Sequence, residues 1–225
     1  MPLTIQRFPA TGWLVLIGGG EFSFGETEEI DRFLVEKLPR DRRTIAFLPT
    51  GSGSTEYAVH LGEHFRRLDP TVEVVNIPVY RLRDGKRGKN ADRIRAAGMV
   101  YVGGGVTNDI VSAIRGTVVE EGMRAVLEQG GVVAGIGAGA CVFGVVARSM
   151  MTVGAPIDGL GWVAGALVES GVRSPEDRRF TTLMGSPSVE IGIGIPERAA
   201  LAIGPDGAGT ILGEGNVVVL RKKKA

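Results

Sequence analysis

The sequence has a single cysteine, no excess of charge of either sign and no long apolar run. The lone Cys141 has no second cysteine with which to form an intramolecular disulfide, which fits a reducing compartment. Lys plus Arg number 26 and Asp plus Glu number 25, whereas nucleic-acid-binding proteins normally carry a basic excess. No stretch approaches 18 consecutive apolar residues, and the N-terminus lacks the pattern of a secretion signal. We therefore expect a cytoplasmic protein that binds neither nucleic acid nor membrane.

With 225 residues, the chain is long enough to bury a substantial core and suits one domain. It contains no internal repeat and no linker, so we expect a single domain over residues 1–225. The one run of like charge lies at Arg221, Lys222, Lys223 and Lys224. Such a run at a chain end is typical of a solvated basic tail, here about residues 221–225.

Short apolar runs recur along the first two thirds of the chain, and they predict strands buried on both faces of a parallel sheet. The runs are Trp13–Ile17, Thr44–Leu48, Val72–Val75, Met99–Val102 and Val132–Ile136. Segments with helical spacing lie between them, such as Ile30, Phe33, Leu34 and Leu38, and Ala58, Leu61, Phe65 and Leu68. This alternation predicts an α/β fold with a mostly parallel sheet and helices on both sides.

The pattern changes after Ser149, where the elements become shorter. The segment Ser174 to Asp177 predicts a helix start, because Ser caps, Pro fits the first position and acids suit the positive end of the dipole. Three short runs near the C-terminus predict an antiparallel edge: Leu201–Ile203, Thr210–Leu212 and Val217–Leu220.

Three glycine-rich turns follow predicted strands directly, at residues 18–20, 103–105 and 135–140. Ligands of parallel sheets bind at the carboxyl ends of strands, and glycine lets backbone amides approach a ligand closely. Any one of these turns, taken alone, is equally well explained as a tight connection between strand and helix. Three such turns in series favour a pocket inherited from an ancestral protein.

The third turn has the pattern of a nucleophile elbow, in which small residues flank one central position between a buried strand and a helix. In Gly135-Ile136-Gly137-Ala138-Gly139 the central position is Gly137, which has no side chain with which to attack.

Six segments together resemble successive landmarks of the cyanophycinase and peptidase E family of serine peptidases. They are Leu16 to Glu21, Phe47 to Thr50, Val102 to Gly105, Ala134 to Ala140, Gly159 to Trp162 and Gly192 to Glu197. The resemblance implies a three-layer αβα sandwich of the class I glutamine amidotransferase-like, flavodoxin-like type. It also implies a homodimer, cleavage of dipeptides or polymer linkages that carry aspartate, and no metal or organic cofactor.

The resemblance also shows which catalytic residues this sequence lacks. The family's nucleophilic Ser falls on Gly137, and its general-base His falls on Ser170 or Gly171, in a stretch without histidine. A polar residue that usually follows the second glycine turn falls on Val106, with Thr107 beside it. The positions that the resemblance retains are Glu21, the oxyanion amides of Gly104, Gly105 and Ala138, and Glu197 as the acid that orients the base.

These replacements predict an inactive relative of the peptidases that binds an acidic peptide or small metabolite. Two alternatives stay open: an active hydrolase that uses Cys141, and a structural or assembly role. Free cysteine among apolar neighbours is more often inert core. The histidines His60 and His64, at i and i+4, lack a third metal ligand nearby and predict a solvated helix face.

Three arginines, Arg173, Arg178 and Arg179, follow the stretch that lacks the base. They fit two interpretations equally: a fork for an acidic ligand, or exposed positions of a helix.

Overall fold

The computed structural model describes residue 5, residues 10–152 and residues 155–222. Within these residues the strands are β1 (Trp13–Ile17), β2 (Thr44–Leu48), β3 (Glu73–Asn76), β4 (Met99–Val102), β5 (Val132–Ile136), β6 (Val146–Arg148), β7 (Pro156–Asp158), β8 (Ala166–Ser170), β9 (Ile191–Ile195), β10 (Ala199–Ile203), β11 (Gly209–Gly213) and β12 (Val218–Arg221). The helices of the same residues are α1 (Glu28–Lys37), α2 (Glu56–Leu68), α3 (Leu82–Gly85), α4 (Gly88–Arg95), α5 (Thr107–Ile114), α6 (Val118–Glu128), α7 (Ala138–Cys141) and α8 (Arg178–Met184).

A seven-stranded sheet in the order β11-β10-β1-β5-β4-β2-β3 forms the centre of the fold. The strands β1, β5, β4, β2 and β3 run parallel, and β10 and β11 add an antiparallel edge. Leu14 and Leu16 pack with residues of α4, α5 and α6, whereas Val15 and Ile17 pack with residues of α1 and α2. Because helices cover both faces, the predicted α/β fold with a mostly parallel sheet is confirmed.

The apolar runs located four of the five parallel strands at their observed bounds. The fifth, β3, begins at Glu73 and not at Val72, because the buried Val72 precedes the first residue that pairs with β2. Among the described helices, none is long and apolar enough to cross a membrane.

A second sheet of five strands, ordered β12-β9-β8-β6-β7, lies after the elbow helix α7. Its residues Val168 and Ile193 share a hydrophobic cluster with Leu14 and Leu16 of the central sheet. The predicted edge was wrong for β12, which pairs with β9 and not with β11. Gly192 of β9 lets helix α8 pack closely on this sheet, because a Cβ at Gly192 would lie 2.4 Å from the Met184 Sδ of α8.

Helix α8 begins later than its sequence signals predict. The carboxylate of Asp177 accepts hydrogen bonds from the backbone N–H groups of Arg179 (2.9 Å) and Phe180 (3.1 Å), so Asp177 and not Ser174 is the N-cap. The Ser174 hydroxyl instead accepts from the Glu176 N–H at 3.1 Å and closes a turn before the helix.

The first two residues of the predicted solvated tail, Arg221 and Lys222, take part in the fold. Arg221 is the last residue of β12, and the Lys222 N–H donates to the Glu190 carbonyl at 2.9 Å. The rest of the predicted tail, residues 223–225, lies outside the described residues.

Candidate functional site

The three glycine turns meet at the carboxyl end of the central sheet, where they follow the adjacent strands β1, β5 and β4. Together with the loop after β2 they enclose a cavity of 260 Å³. Its lining residues are Gly19, Gly20, Phe47, Ser52, Tyr57, Gly103, Gly104, Gly105, Ile136, Gly137 and Ala138. The topology therefore brings the predicted turns into one site.

Gly137 lies at a sharp turn between β5 and α7, with φ 57° and ψ −119°. The flanking glycines are tightly enclosed, because a Cβ at Gly135 would lie 2.2 Å from the Gly139 carbonyl oxygen and a Cβ at Gly139 would lie 2.3 Å from the Val102 carbonyl oxygen. A Cβ at Gly137 would meet no atom within 4 Å. This is the geometry of a nucleophile elbow, which leaves only its central position free to carry a side chain.

Unbonded backbone donors surround the cavity. The N–H groups of Gly19, Gly20, Gly104, Gly105 and Ala138 donate to no other group of the described residues. Gly105, at φ 123°, packs so closely on the loop after β2 that a Cβ would lie 2.2 Å from Gly51 backbone atoms. Only glycine fits there, and the close packing holds the Gly105 amide in place.

Three residues of the predicted pocket do not line the cavity. The Val106 N–H donates to the Gly51 carbonyl at 2.9 Å, and the buried Thr107 hydroxyl donates to the Arg148 carbonyl at 2.5 Å. Glu21 caps the 3₁₀ turn at Phe22–Phe24 by accepting from the Ser23 N–H at 3.3 Å. The space above Gly137 is therefore open and not filled by Val106.

The predicted base position follows β8. Gly171 has φ 70°, and a Cβ there would meet no atom within 4 Å. Its neighbour Ser170 accepts a hydrogen bond from the Cys141 thiol at 3.4 Å. The predicted acid position, Glu197, accepts a hydrogen bond at 2.9 Å from the guanidinium of Arg173. This carboxylate is therefore paired with an arginine.

The sequence profile described as peptidase family S51 matches residues 14–211. The chain belongs to peptidase family S51. This membership confirms the resemblance to cyanophycinases and peptidase E that the sequence landmarks indicate.

Two solved structures are similar to this S51 chain along almost its whole length. A peptidase from an acI-B1 Actinobacterium has a TM-score of 0.79 and 21% identity, over 96% of this chain and 93% of that one. A putative peptidase E protein from Listeria monocytogenes EGD-e has a TM-score of 0.58 and 16% identity, over 95% of this chain and 100% of that one. At these identities the similarity shows a shared fold. No curated protein matches the chain in sequence.

Cys141, the candidate displaced nucleophile of this S51 chain, is 2% exposed. Burial raises the pKa of its thiol to about 12, and the nearby Glu169 carboxylate adds to that increase. The hydrogen bond with Ser170 and the charge of Arg148 oppose the increase without cancelling it. At neutral pH the group is a thiol, whereas the thiolate is the nucleophilic form.

The two histidines have different environments. His60 is exposed, as predicted. His64 is buried, and its Nε2 lies 2.8 Å from Asp31 Oδ2 of α1, so the prediction of a solvated face was wrong for this residue. The spacing in the sequence could have predicted this burial. His64 follows Leu61 by three positions and precedes Leu68 by four, and it therefore lies on the apolar stripe of α2.

The arginines that follow the base segment separate in space. Arg173 pairs with Glu197, whereas Arg178 and Arg179 join Arg148 of β6 in a second cavity of 460 Å³. The other lining residues of this arginine cavity are Ser149, Met150, Thr182 and Leu183. Arg178 and Arg179 are exposed positions of helix α8, as the second interpretation has it, and they line this cavity together with Arg148, which the sequence did not single out.

Three residues of the Gly137 cavity escaped the sequence interpretation: Phe47, Ser52 and Tyr57. Phe47 belongs to a recognised landmark segment, and Ser52 lies in the loop that directly follows β2. Because loops at the carboxyl ends of parallel strands share one edge of the sheet, the position of Ser52 directly after β2 was the available signal.

Proposed function

We propose that this chain is a non-catalytic member of peptidase family S51 that binds an acidic peptide or small acidic metabolite at the carboxyl end of its central sheet. One observation carries the proposal. The turn has the enclosed flanking glycines and the open central position of an elbow, but the residue at that central position is Gly137, which has no side chain.

The chemistry that remains supports the loss of hydrolysis. Removing a nucleophile from a serine hydrolase costs about 10⁶ in turnover, and the remaining oxyanion contacts and binding leave only about 10³–10⁴ over water. The base position offers Ser170 or Gly171, neither of which accepts a proton near neutral pH. Cys141 is a buried thiol with a raised pKa. These features favour binding without turnover.

The preference for an acidic ligand rests on two groups of donors. The unbonded N–H groups around the Gly137 cavity form a concave set of the kind that binds anions. The arginine cavity offers three guanidinium groups, which match carboxylates in fork geometry. Two of these groups already have carboxylate partners, Arg148 with Glu169 at 3.3 Å and Arg179 with Asp177 at 3.4 Å, so Arg178 supplies the remaining positive charge.

The loss of catalysis is tested with a fluorophosphonate probe and with aspartyl dipeptides. We expect no covalent labelling and no release of free amine above the rate in buffer. An active serine hydrolase in a parallel tube confirms that the probe and assay are sound. Labelling of any residue, or dipeptide turnover, would contradict the proposal, and labelling at Cys141 would favour the alternative hydrolase.

Binding is tested by thermal unfolding with acidic amino acids, acidic dipeptides and matched uncharged amides. A ligand at ten times its Kd adds about 1.4 kcal/mol, which raises the Tm of a chain of this size by about 3–6 °C. We expect shifts with acids and none with amides. No shift with any compound would favour a structural or assembly role. The homodimer implied by the family stays a prediction for sedimentation analysis.

A further inference from the structure

We infer that Ser52 and Tyr57 select the ligand of the Gly137 cavity, and that this ligand is an amino-acid-sized carboxylate with a second hydrogen-bond acceptor. This inference rests on the proposed function and names the ligand class of the same site. Three observations support the inference: the position of these two side chains, the hydrogen-bonding groups that line the cavity, and the size of the cavity.

The loop after β2 holds Ser52 firmly beside the second glycine turn. The Gly51 carbonyl accepts from the Val106 N–H, and a Cβ at Gly105 would lie 2.6 Å from the Ser52 nitrogen. The Ser52 hydroxyl accepts from the Ser54 N–H at 3.3 Å, but its own proton reaches no acceptor among the described residues. The hydroxyl of this exposed residue is therefore an unused donor in the cavity wall.

Tyr57 is equally fixed by its aromatic neighbours. Its ring stacks on Phe47, with ring centroids 5.5 Å apart, and meets Phe22 edge to face at 5.3 Å. Its hydroxyl has no hydrogen-bond partner among the described groups. Burial, followed by the charges of Glu21 and Asp31, raises the pKa of this phenol, so the hydroxyl keeps its proton.

The cavity lining offers several unbonded donors and no formally charged side chain. Its lining combines five unbonded N–H groups with two hydroxyls and includes no Lys, Arg, His, Asp or Glu. A ligand that satisfies this wall must bring acceptors. A carboxylate suits the amides near Gly137, and a further oxygen suits the hydroxyls of Ser52 and Tyr57.

The size of the cavity limits the ligand. At 260 Å³ it is smaller than the roughly 300–1,000 Å³ of pockets that hold drug-sized molecules. The rings of Phe47 and Tyr57 give one wall an apolar face. A small hydroxy carboxylate fits this space, whereas a peptide would have to extend beyond it.

The experiment compares acetate, glycolate, L-lactate, L-aspartate and aspartyl-alanine, together with methyl lactate, by calorimetry and thermal unfolding. We expect glycolate and lactate to bind more tightly than acetate, which lacks the second oxygen, and methyl lactate not to bind. Each of Ser52→Ala and Tyr57→Phe should weaken lactate binding about threefold to tenfold while leaving acetate nearly unchanged, because each removes one hydrogen bond to the second oxygen.

Ser112→Ala and Tyr80→Phe remove the same groups outside the cavity and should leave every affinity unchanged. The unliganded Tm of each variant shows whether it is folded. Binding of lactate with equal affinity to the wild type, Ser52→Ala and Tyr57→Phe would overturn the inference and leave the proposed function intact. Tighter binding of the dipeptide than of every single acid would also overturn it. If no acid binds the wild type, the proposed function fails and the inference fails with it.

Discussion

The Cys141 thiol donates to the Ser170 hydroxyl at 3.4 Å, and this contact joins the elbow helix α7 to the segment where the family's base is expected. Helix α7, which follows the elbow, and the segment that lacks the base are therefore neighbours. Both positions present a glycine with open space beside it, Gly137 in the elbow and Gly171 after β8. This backbone arrangement is the one on which the proposed loss of catalysis rests.

We expect Cys141 to resist iodoacetamide near neutral pH in the folded protein. With a pKa of about 12, only about 10⁻⁵ of the group is thiolate at pH 7, and the side chain is 2% exposed. Mass spectrometry should show no adduct in the native state and complete modification in denaturant, which serves as the control. Rapid native modification would contradict the buried, protonated state and revive the thiol as a nucleophile.

We expect Gly137→Ser to fold with a loss of about 1–3 kcal/mol in unfolding free energy, because a side chain fits the space but not the positive φ. Gly139→Ala is the matched comparison in the same turn. Its Cβ would lie 2.3 Å from a backbone carbonyl oxygen, so we expect a loss of about 3 kcal/mol or more. Urea unfolding measures both. A larger loss at Gly137 than at Gly139 would mean that the turn is not an elbow.

The sequence predicts the central sheet and the elbow because both are encoded locally. Continuous apolar runs give the strands. Contacts within one turn and with β4 require glycine at 135 and 139, and a positive φ favours it at 137. Strands β6 and β7 of the second sheet were missed because they have three residues each, too few to show a period. The His64–Asp31 pair joins residues 33 positions apart, so no local pattern predicts the partner even though the apolar stripe predicts the burial.

The pair between Arg173 and Glu197 should contribute little to stability. Their side chains are 77% and 58% exposed, and exposed ion pairs typically contribute less than about 1 kcal/mol. Arg173→Ala and Glu197→Gln should therefore each change the unfolding free energy by less than about 1 kcal/mol, with a smaller effect in high salt. Losses above about 2 kcal/mol in urea unfolding would show instead that the pair holds the second sheet against the glycine turn of β1.

Glu169 should make the protein less stable as the pH rises. Its side chain is 0% exposed, and neither carboxylate oxygen has a hydrogen-bond partner among the described residues, although Arg148 Nε lies 3.3 Å from Oε1. Burial raises the pKa of this carboxyl, and the charges of Arg148 and Arg179 only partly oppose the increase.

A carboxyl with a higher pKa in the folded state binds more protons there than in the unfolded state. The unfolding free energy therefore falls as pH rises from the ordinary value of 4.5 through the raised folded value. Because Glu169→Gln removes this titration, we expect the stability of wild type minus variant to decline with pH, by at most about 1.4 kcal/mol per unit. Urea unfolding between pH 4 and pH 8 measures the difference, with Glu121→Gln on the exposed face of α6 as a control that should run parallel to the wild type. A difference that rises with pH would show that Arg148 stabilises the carboxylate by more than burial destabilises it.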